Sequence, residues 1–174
     1  MVLMSDIQER LLLLDHFEFE YNESEQAYQF LTEGGYKYSI TFQEYFMFEA
    51  PVYMFNIDRV KTKDDATKGK QGFAIRNTVM LILTAFFENI DNAIVAICES
   101  KDKHERARHK LFNQWYKDAK NLFDVTWIVR DDAPFPMSSG EEQYAMLYYH
   151  KDNMFAQIIK EQFRELVEHK FFME

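Results

Sequence analysis

The chain has 174 residues, 47% of them hydrophobic, with 17 Phe, 10 Tyr and 2 Trp against only 5 Gly and 3 Pro. That apolar content is enough to build a core and excludes an intrinsically disordered chain. A formal net charge of −9, from 29 acidic and 20 basic residues, disfavours nonspecific contact with nucleic acid or an anionic membrane.

Cys98 is the sole cysteine, so an intramolecular disulfide and a thiolate zinc cluster are both excluded. Residues 1–6 lack a basic stretch leading into a long apolar run, and Leu11–Leu14 is bounded by Arg10 and Asp15. Neither a signal peptide nor a membrane span is expected, and the cytoplasm is the expected compartment. The whole of 1–174 is expected to form one domain: a short helix and strand in 1–24, a core over 25–150 and a C-terminal helix in 151–174.

In chain order, Ser5 or Asp6 caps a short helix that ends in Leu11–Leu14. Phe17, Phe19 and Tyr21 alternate with Glu18 and Glu20, a strand with one wet face. Tyr28 and Phe30 alternate again, Gly34-Gly35 marks a tight turn, and Tyr36, Tyr38, Ile40 and Phe42 form the return strand of a hairpin. Pro51 opens a further strand over 52–60, with Tyr53, Phe55 and Ile57 on one face.

Residues 61–72 are polar and charged, a loop. The spacing of Ile75, Val79, Ile82, Leu83 and Phe86 predicts a helix over 75–87, with a thin wet line at Asn77, Thr84 and Glu88. Residues 93–98 are a continuous apolar run, as in a strand covered on both faces. Asp102 and Glu105 resemble a capping box opening a helix to about Ala119, with Ala107, Leu111, Trp115 and Ala119 inward. Residues 123–130 alternate as a strand, and 131–140 read as a Pro/Ser/Gly loop. Tyr144, Met146 and Tyr148 mark a last strand, and Asp152 caps a final helix with a stripe of Phe155, Ile158, Ile159, Phe163, Leu166 and Val167.

The fold class is therefore α+β, a mixed and mostly antiparallel sheet of six or seven strands with three main helices. The basic turn Lys68-Gly69-Lys70-Gln71-Gly72, opening an apolar helix with Phe73, Ala74 and Arg76, is the pattern of a phosphate cradle. The alternative is a charged surface loop whose glycines let the chain turn. Arg106, Arg108, His109 and Lys110 form the most basic spot on an acidic chain, either an anion grip or a solvated helix face. Cys98 is either a nucleophile or a small buried hydrophobe. Tyr144, Tyr148 and Tyr149 line a groove or pack under the last helix, and no histidine pair has metal spacing.

The order β-β-β-α-β-α-β-β, with Gly72-Phe73-Ala74 at the start of the central helix, resembles the core of the GNAT acyltransferase superfamily over residues 25–150. The resemblance implies acyl-coenzyme A as cofactor, with no metal. It implies a pyrophosphate held by Lys68, Gly69, Lys70, Gly72, Phe73, Ala74 and Arg76, and a thioester carbonyl polarised by backbone at the end of strand 52–60. The family's basic position falls on Gly69, and its usual Asn and Tyr on the following helix fall on His104 and Leu111. Tyr116, one turn beyond, and Glu99, just past the strand, are then the candidate acid and base.

The hairpin at 28–42, Asn77-Thr78 with Phe86-Phe87, Ile97-Cys98-Glu99-Ser100 with Arg106 and Arg108, and Leu111-Phe112 with Trp115 resemble a bacterial family of uncharacterised small proteins. Two functions stay open: a CoA-dependent N-acyltransferase, or a catalytically silent protein-binding or regulatory module. The second, like an immunity or antitoxin component, would use an acidic aromatic surface, with Glu18, Glu20, Glu23 and Glu25 toward a basic partner.

Overall fold

The computed structural model describes residues 4–67, 69, 71–98, 105–136 and 142–170. Its elements, in order, are α1 (Met4–Leu12), β1 (Phe19–Asn22), β2 (Ala27–Leu31), β3 (Tyr36–Glu44) and β4 (Val52–Lys61). Then follow α2 (Gly72–Phe86), β5 (Ala93–Cys98), α3 (Glu105–Phe123), β6 (Ile128–Pro136), β7 (Glu142–His150) and α4 (Ala156–Lys170). Seven strands are hydrogen-bonded in the order β1-β2-β3-β4-β5-β7-β6. β4 and β5 run parallel, and the hairpins β1–β2, β2–β3 and β6–β7 run antiparallel, as does β5–β7. The fold is α+β with a mixed, mostly antiparallel sheet, and α2 is the crossover that a parallel pair requires.

Two compact units share this chain: Met1–Phe42 with Phe55–Glu88, and Gln43–Met54 with Asn89–Glu174. In the first, aromatic side chains tie strand to strand. Tyr21 and Tyr28 face each other across β1 and β2 with ring centroids 5.0 Å apart. Phe42 stacks on Phe86 of α2 at 4.2 Å and meets Phe55 at 5.5 Å. Cross-strand aromatic pairs are the side-chain unit of sheet stability, which accounts for much of the high Phe and Tyr content. α1 is anchored by Ile7 and Leu11, one turn apart and fully buried. Each contributes about 1.5–3 kcal/mol by leaving water.

The Gly34-Gly35 turn closes the β2–β3 hairpin and does a second job. Gly35 sits at φ +85°, where only glycine is comfortable. The Gly34 and Gly35 carbonyls accept from the Thr67 and Thr62 N–H groups, each at 2.9 Å, fastening the loop that leads to α2. A Cβ at Gly34 would collide with the Thr67 carbonyl oxygen.

α2 begins at Gly72, three residues before the periodicity starts, and it is buried on almost every side. The expected wet line is a correction: Asn77 and Thr84 are buried, and only Glu88 is exposed. Their polar atoms are satisfied locally. Asn77 Nδ2 donates to the Asp15 carbonyl at 2.8 Å, and the Thr84 hydroxyl to the Leu81 carbonyl at 2.9 Å. Thr78 donates to the Ala74 carbonyl and accepts from the Phe17 N–H, both at 2.8 Å. Buried polar groups are tolerated on those terms.

In the second unit β5, β7 and β6 present two unlike faces. Ala93 and Val95, Ala145, Leu147 and Tyr149 pack with Ile159, Phe163 and Leu166 of α4 in an aliphatic core. The opposite face, with Cys98, Tyr144, Tyr148, Arg130 and Asp132, meets α3. Tyr149 thus packs under the last helix as expected, and Tyr144 and Tyr148 do not.

Three boundaries differ from expectation. Residues 123–127 are the C-terminal cap of α3 and a buried connector instead of a strand. Asp124 takes φ +56°, and the Val125 N–H reaches back to the Ala119 carbonyl at 3.0 Å. A left-handed residue just past the last turn is a common way for a helix to stop. β6 runs on through Pro136, where a loop was expected, because it is the outer strand and an edge tolerates proline. Asn153, not Asp152, leads α4: its Oδ1 accepts from the Phe155 N–H at 2.7 Å, while Asp152 is exposed.

α3 is also rotated from the expected phase. Ala107 and Leu111 are exposed, and the inward line runs through His109, Phe112, Asn113, Tyr116, Ala119 and Phe123. The capping box at Asp102 lies outside the described residues.

Candidate functional site

The predicted phosphate cradle lies in the first unit. Gly69 takes φ +53° in the turn before α2, and Lys68 and Lys70 lie outside the described residues. Gln71 precedes the helix but makes no side-chain cap. Its amide reaches instead to Glu33 Oε2 at 3.0 Å. The first intrahelical bond runs from the Ile75 N–H to the Gln71 carbonyl at 3.0 Å. The N–H groups of Gly72, Phe73 and Ala74 therefore have no acceptor within the helix. The first turn carries no acidic residue. A Cβ added at Gly72 would meet nothing within 4 Å. Phe73 is 72% exposed, and the buried Arg76 guanidinium lies 5.0 Å above its ring. Arg76 also donates to Asn77 Oδ1 from Nε at 3.2 Å and from Nη2 at 3.0 Å.

Of the two acid–base candidates, Glu99 lies outside the described residues. Tyr116 is in the second unit, on the inward face of α3. Its hydroxyl donates to the Ile128 carbonyl at 3.0 Å, and its ring meets Tyr148 edge-on at 5.9 Å. Leu111, where the acyltransferase pattern has its tyrosine, is 46% exposed on the outer face. Cys98 is buried opposite Tyr144 in the β5–β7 ladder.

Around Tyr116 the structure assembles a group that sequence reasoning missed. The Arg130 side chain is only 5% exposed. Its Nε donates to Asp132 Oδ1 at 2.5 Å and its Nη2 to Asp132 Oδ2 at 2.8 Å, a bidentate pair. Nη1 donates to Asn113 Oδ1 at 3.2 Å, and the guanidinium lies 5.6 Å from both the Tyr116 and Tyr148 rings. His109 Nε2 approaches Asp132 Oδ2 at 3.2 Å, and its ring stacks on Tyr144 at 4.1 Å. Burial pushes the Tyr148 hydroxyl well above its ordinary pKa, with the Arg130 charge opposing.

The sequence held a signal for this group: Arg130 and Asp132 are two apart, hence on one strand face, and His109 and Asn113 are one helical turn apart. It was hidden because residues 131–140 read as loop. Of the basic spot on α3, Arg106, Arg108 and Lys110 are exposed, and His109 alone turns inward. Among the described residues no group of three or more His, Cys, Asp or Glu could hold a metal, and no helix is long and apolar enough to cross a membrane.

A family model described as a family of unknown function, DUF6169, matches residues 71–165, more than half of the chain. The chain belongs to the DUF6169 family. The DUF6169 match begins at the residue before α2 and ends inside α4. It takes in the start of α2 and the Arg130 group, while the aromatic hairpin at 28–42 falls before it. No curated protein and no solved structure matches the chain.

Proposed function

We propose that the protein binds an acyl-coenzyme A through the start of α2 and transfers the acyl group to an amine. The observation that supports this most is the first turn of α2, where three backbone N–H groups, from Gly72, Phe73 and Ala74, lack a side-chain cap and the turn itself carries no acidic residue. Such a turn suits a pyrophosphate, because the aligned peptide dipoles place partial positive charge there. The open space above Gly72 fits close approach by a phosphate group. The strand order supports the same reading. The β4–β5 ladder takes in only Val52–Met54 of β4, although β4 continues to Lys61 and β5 to Cys98. The backbone of β4 beyond that ladder is then the candidate to polarise the carbonyl.

The cofactor would supply an activated thioester. The chain's part is to donate N–H groups to the phosphates at 72–74 and to keep Phe73 and Arg76 beside them. Acetyl-CoA should raise the melting temperature, since a ligand that binds only the native state stabilises it by about 2.7 kcal/mol at a hundredfold excess over Kd. No shift at millimolar ligand would refute the proposal.

A second reading has its own observation. β1 is the outer strand at the other end of the sheet from β6, and Phe19, Tyr21, Glu18, Glu20, Glu23 and Glu25 are all exposed there. An acidic, aromatic edge strand is a surface for a basic protein segment that adds to the sheet. Cross-linking in the native host should capture a basic protein through Tyr21. Recovery of the uncross-linked monomer alone would count against it.

A further inference from the structure

We propose that His109 is a general base, oriented by Asp132, and that the Arg130 group in the second unit is a proton-transfer site. This goes beyond the α2 start and uses none of its residues. Three observations carry it. First, the His109 and Asp132 contact is directional: a carboxylate oxygen only accepts, so Nε2 bears the proton and the basic lone pair is on Nδ1. The Nη2 of Arg130 is 3.4 Å from the same nitrogen, but its shorter bond is to Asp132 at 2.8 Å. Second, Asp132 is itself held. The buried Arg130 grips both of its oxygens, and Asn113, one turn along α3 from His109, holds the other end of the guanidinium. A base oriented by a carboxylate that is fixed in turn by a third group is the arrangement general-base catalysis uses.

Third, the pair is reachable and well placed. The His109 side chain is 23% exposed and that of Asp132 36%. His109 stacks on Tyr144, the ladder partner of Cys98, and so stands beside the carboxyl end of β5. A purely structural ion pair would need only Arg130 and Asp132; the stacked imidazole is a third member that such a pair does not require.

Among the described residues, the side chains in contact with the His109 ring are Arg130 and Asp132 from β6 and Tyr144 from β7. The step is proton abstraction. Nδ1 takes the proton of a water or amine as that nucleophile attacks a carbonyl carbon, the bond to the leaving group breaks with its electron pair, and the imidazolium returns its proton to solvent.

p-Nitrophenyl acetate tests this without any coenzyme. In its hydrolysis water adds to the acetyl carbon, p-nitrophenolate leaves, and His109 takes the water proton. The wild-type chain should hydrolyse it faster than buffer alone. His109→Gln should lower the rate about tenfold, the weaker end of general-base effects. Asp132→Asn should lower it less, in kcat and not in KM, because the carboxylate orients the imidazole and does not touch the ester. His16→Gln should change nothing.

If His109→Gln does not fold, mass-spectrometric mapping of diethyl pyrocarbonate on the wild-type chain replaces it. His109 should then react faster than the exposed-segment His16. Equal rates in wild type and a folded His109→Gln, or slower modification of His109 than of His16, would overturn the proposal. Esterase activity without an acetyl-CoA melting shift would refute the coenzyme reading and leave this one standing.

Discussion

The start of α2 and the Arg130 group are opposites in construction. The first presents backbone: uncapped N–H groups, a glycine with empty space above it, and an exposed phenylalanine. The second is made of side chains that satisfy one another, with a guanidinium held by Asp132 and Asn113 between two tyrosine rings. An open turn is specific only if a ligand fills it. A closed side-chain network is specific by itself, and its use depends on His109, whose imidazole it holds against Asp132 and Tyr144.

This contrast can be broken by mutation, and the largest effect should fall on the closed region. Arg130→Met removes the buried guanidinium and with it the bidentate donor of Asp132 and the partner of Asn113. Unfolding in urea should show a loss of about 2–4 kcal/mol, somewhat below a fully buried pair because Asp132 is partly exposed. A change within 0.5 kcal/mol, an ordinary surface effect, would mean that the network is slack.

Gly34→Ala should come next. The new methyl meets the Thr67 carbonyl, so the 62–67 loop must move, at a cost of about 1–3 kcal/mol for overpacking. Gly72→Ala separates binding from stability. Nothing obstructs the methyl, and alanine suits a helix better, so the melting temperature should stay the same or rise. The acetyl-CoA response should nevertheless fall, because the methyl stands where a phosphate would approach. An unchanged response would place the ligand elsewhere.

The smallest effect concerns His150, which packs on Trp127 at 5.6 Å. Burial lowers its pKa, Asp152 partly restores it and Lys151 lowers it further. The folded state thus binds the proton less readily than the unfolded one. Stability is fully present above the unfolded value, near 6.5, and is lost as pH falls through the lower folded value. Melting at pH 7.5 and at pH 5.5 should differ less in His150→Gln than in wild type.

How much of this was legible follows from which interactions are local. The hairpin through Gly34-Gly35, the run Ala93–Cys98 and the stripe of α4 are carried by periodicity and turn chemistry within a few residues. α3 and β6 were misjudged because Phe123, Val125 and Trp127 alternate while serving a helix cap, and because Pro134 and Pro136 resemble loop until the strand is known to be an edge. The phase of α3 is set by which face of β7 it meets, and spacing alone puts Leu111 inward and His109 on a basic surface. The Arg130 group joins residues 109 to 148, and no local pattern announces such a union. The start of α2 near Gly72 was readable because a helix start and its glycine are neighbours in sequence.

The central claim is that the open turn, not its lysines alone, receives the coenzyme's phosphates. Amide chemical-shift mapping with isotope-labelled protein and acetyl-CoA tests it most directly. The account predicts saturable shifts of the Gly72, Phe73 and Ala74 amides that fade in Gly72→Ala. If acetyl-CoA moves amides elsewhere and leaves those three in place, or moves none at all, the assignment of the α2 start is contradicted.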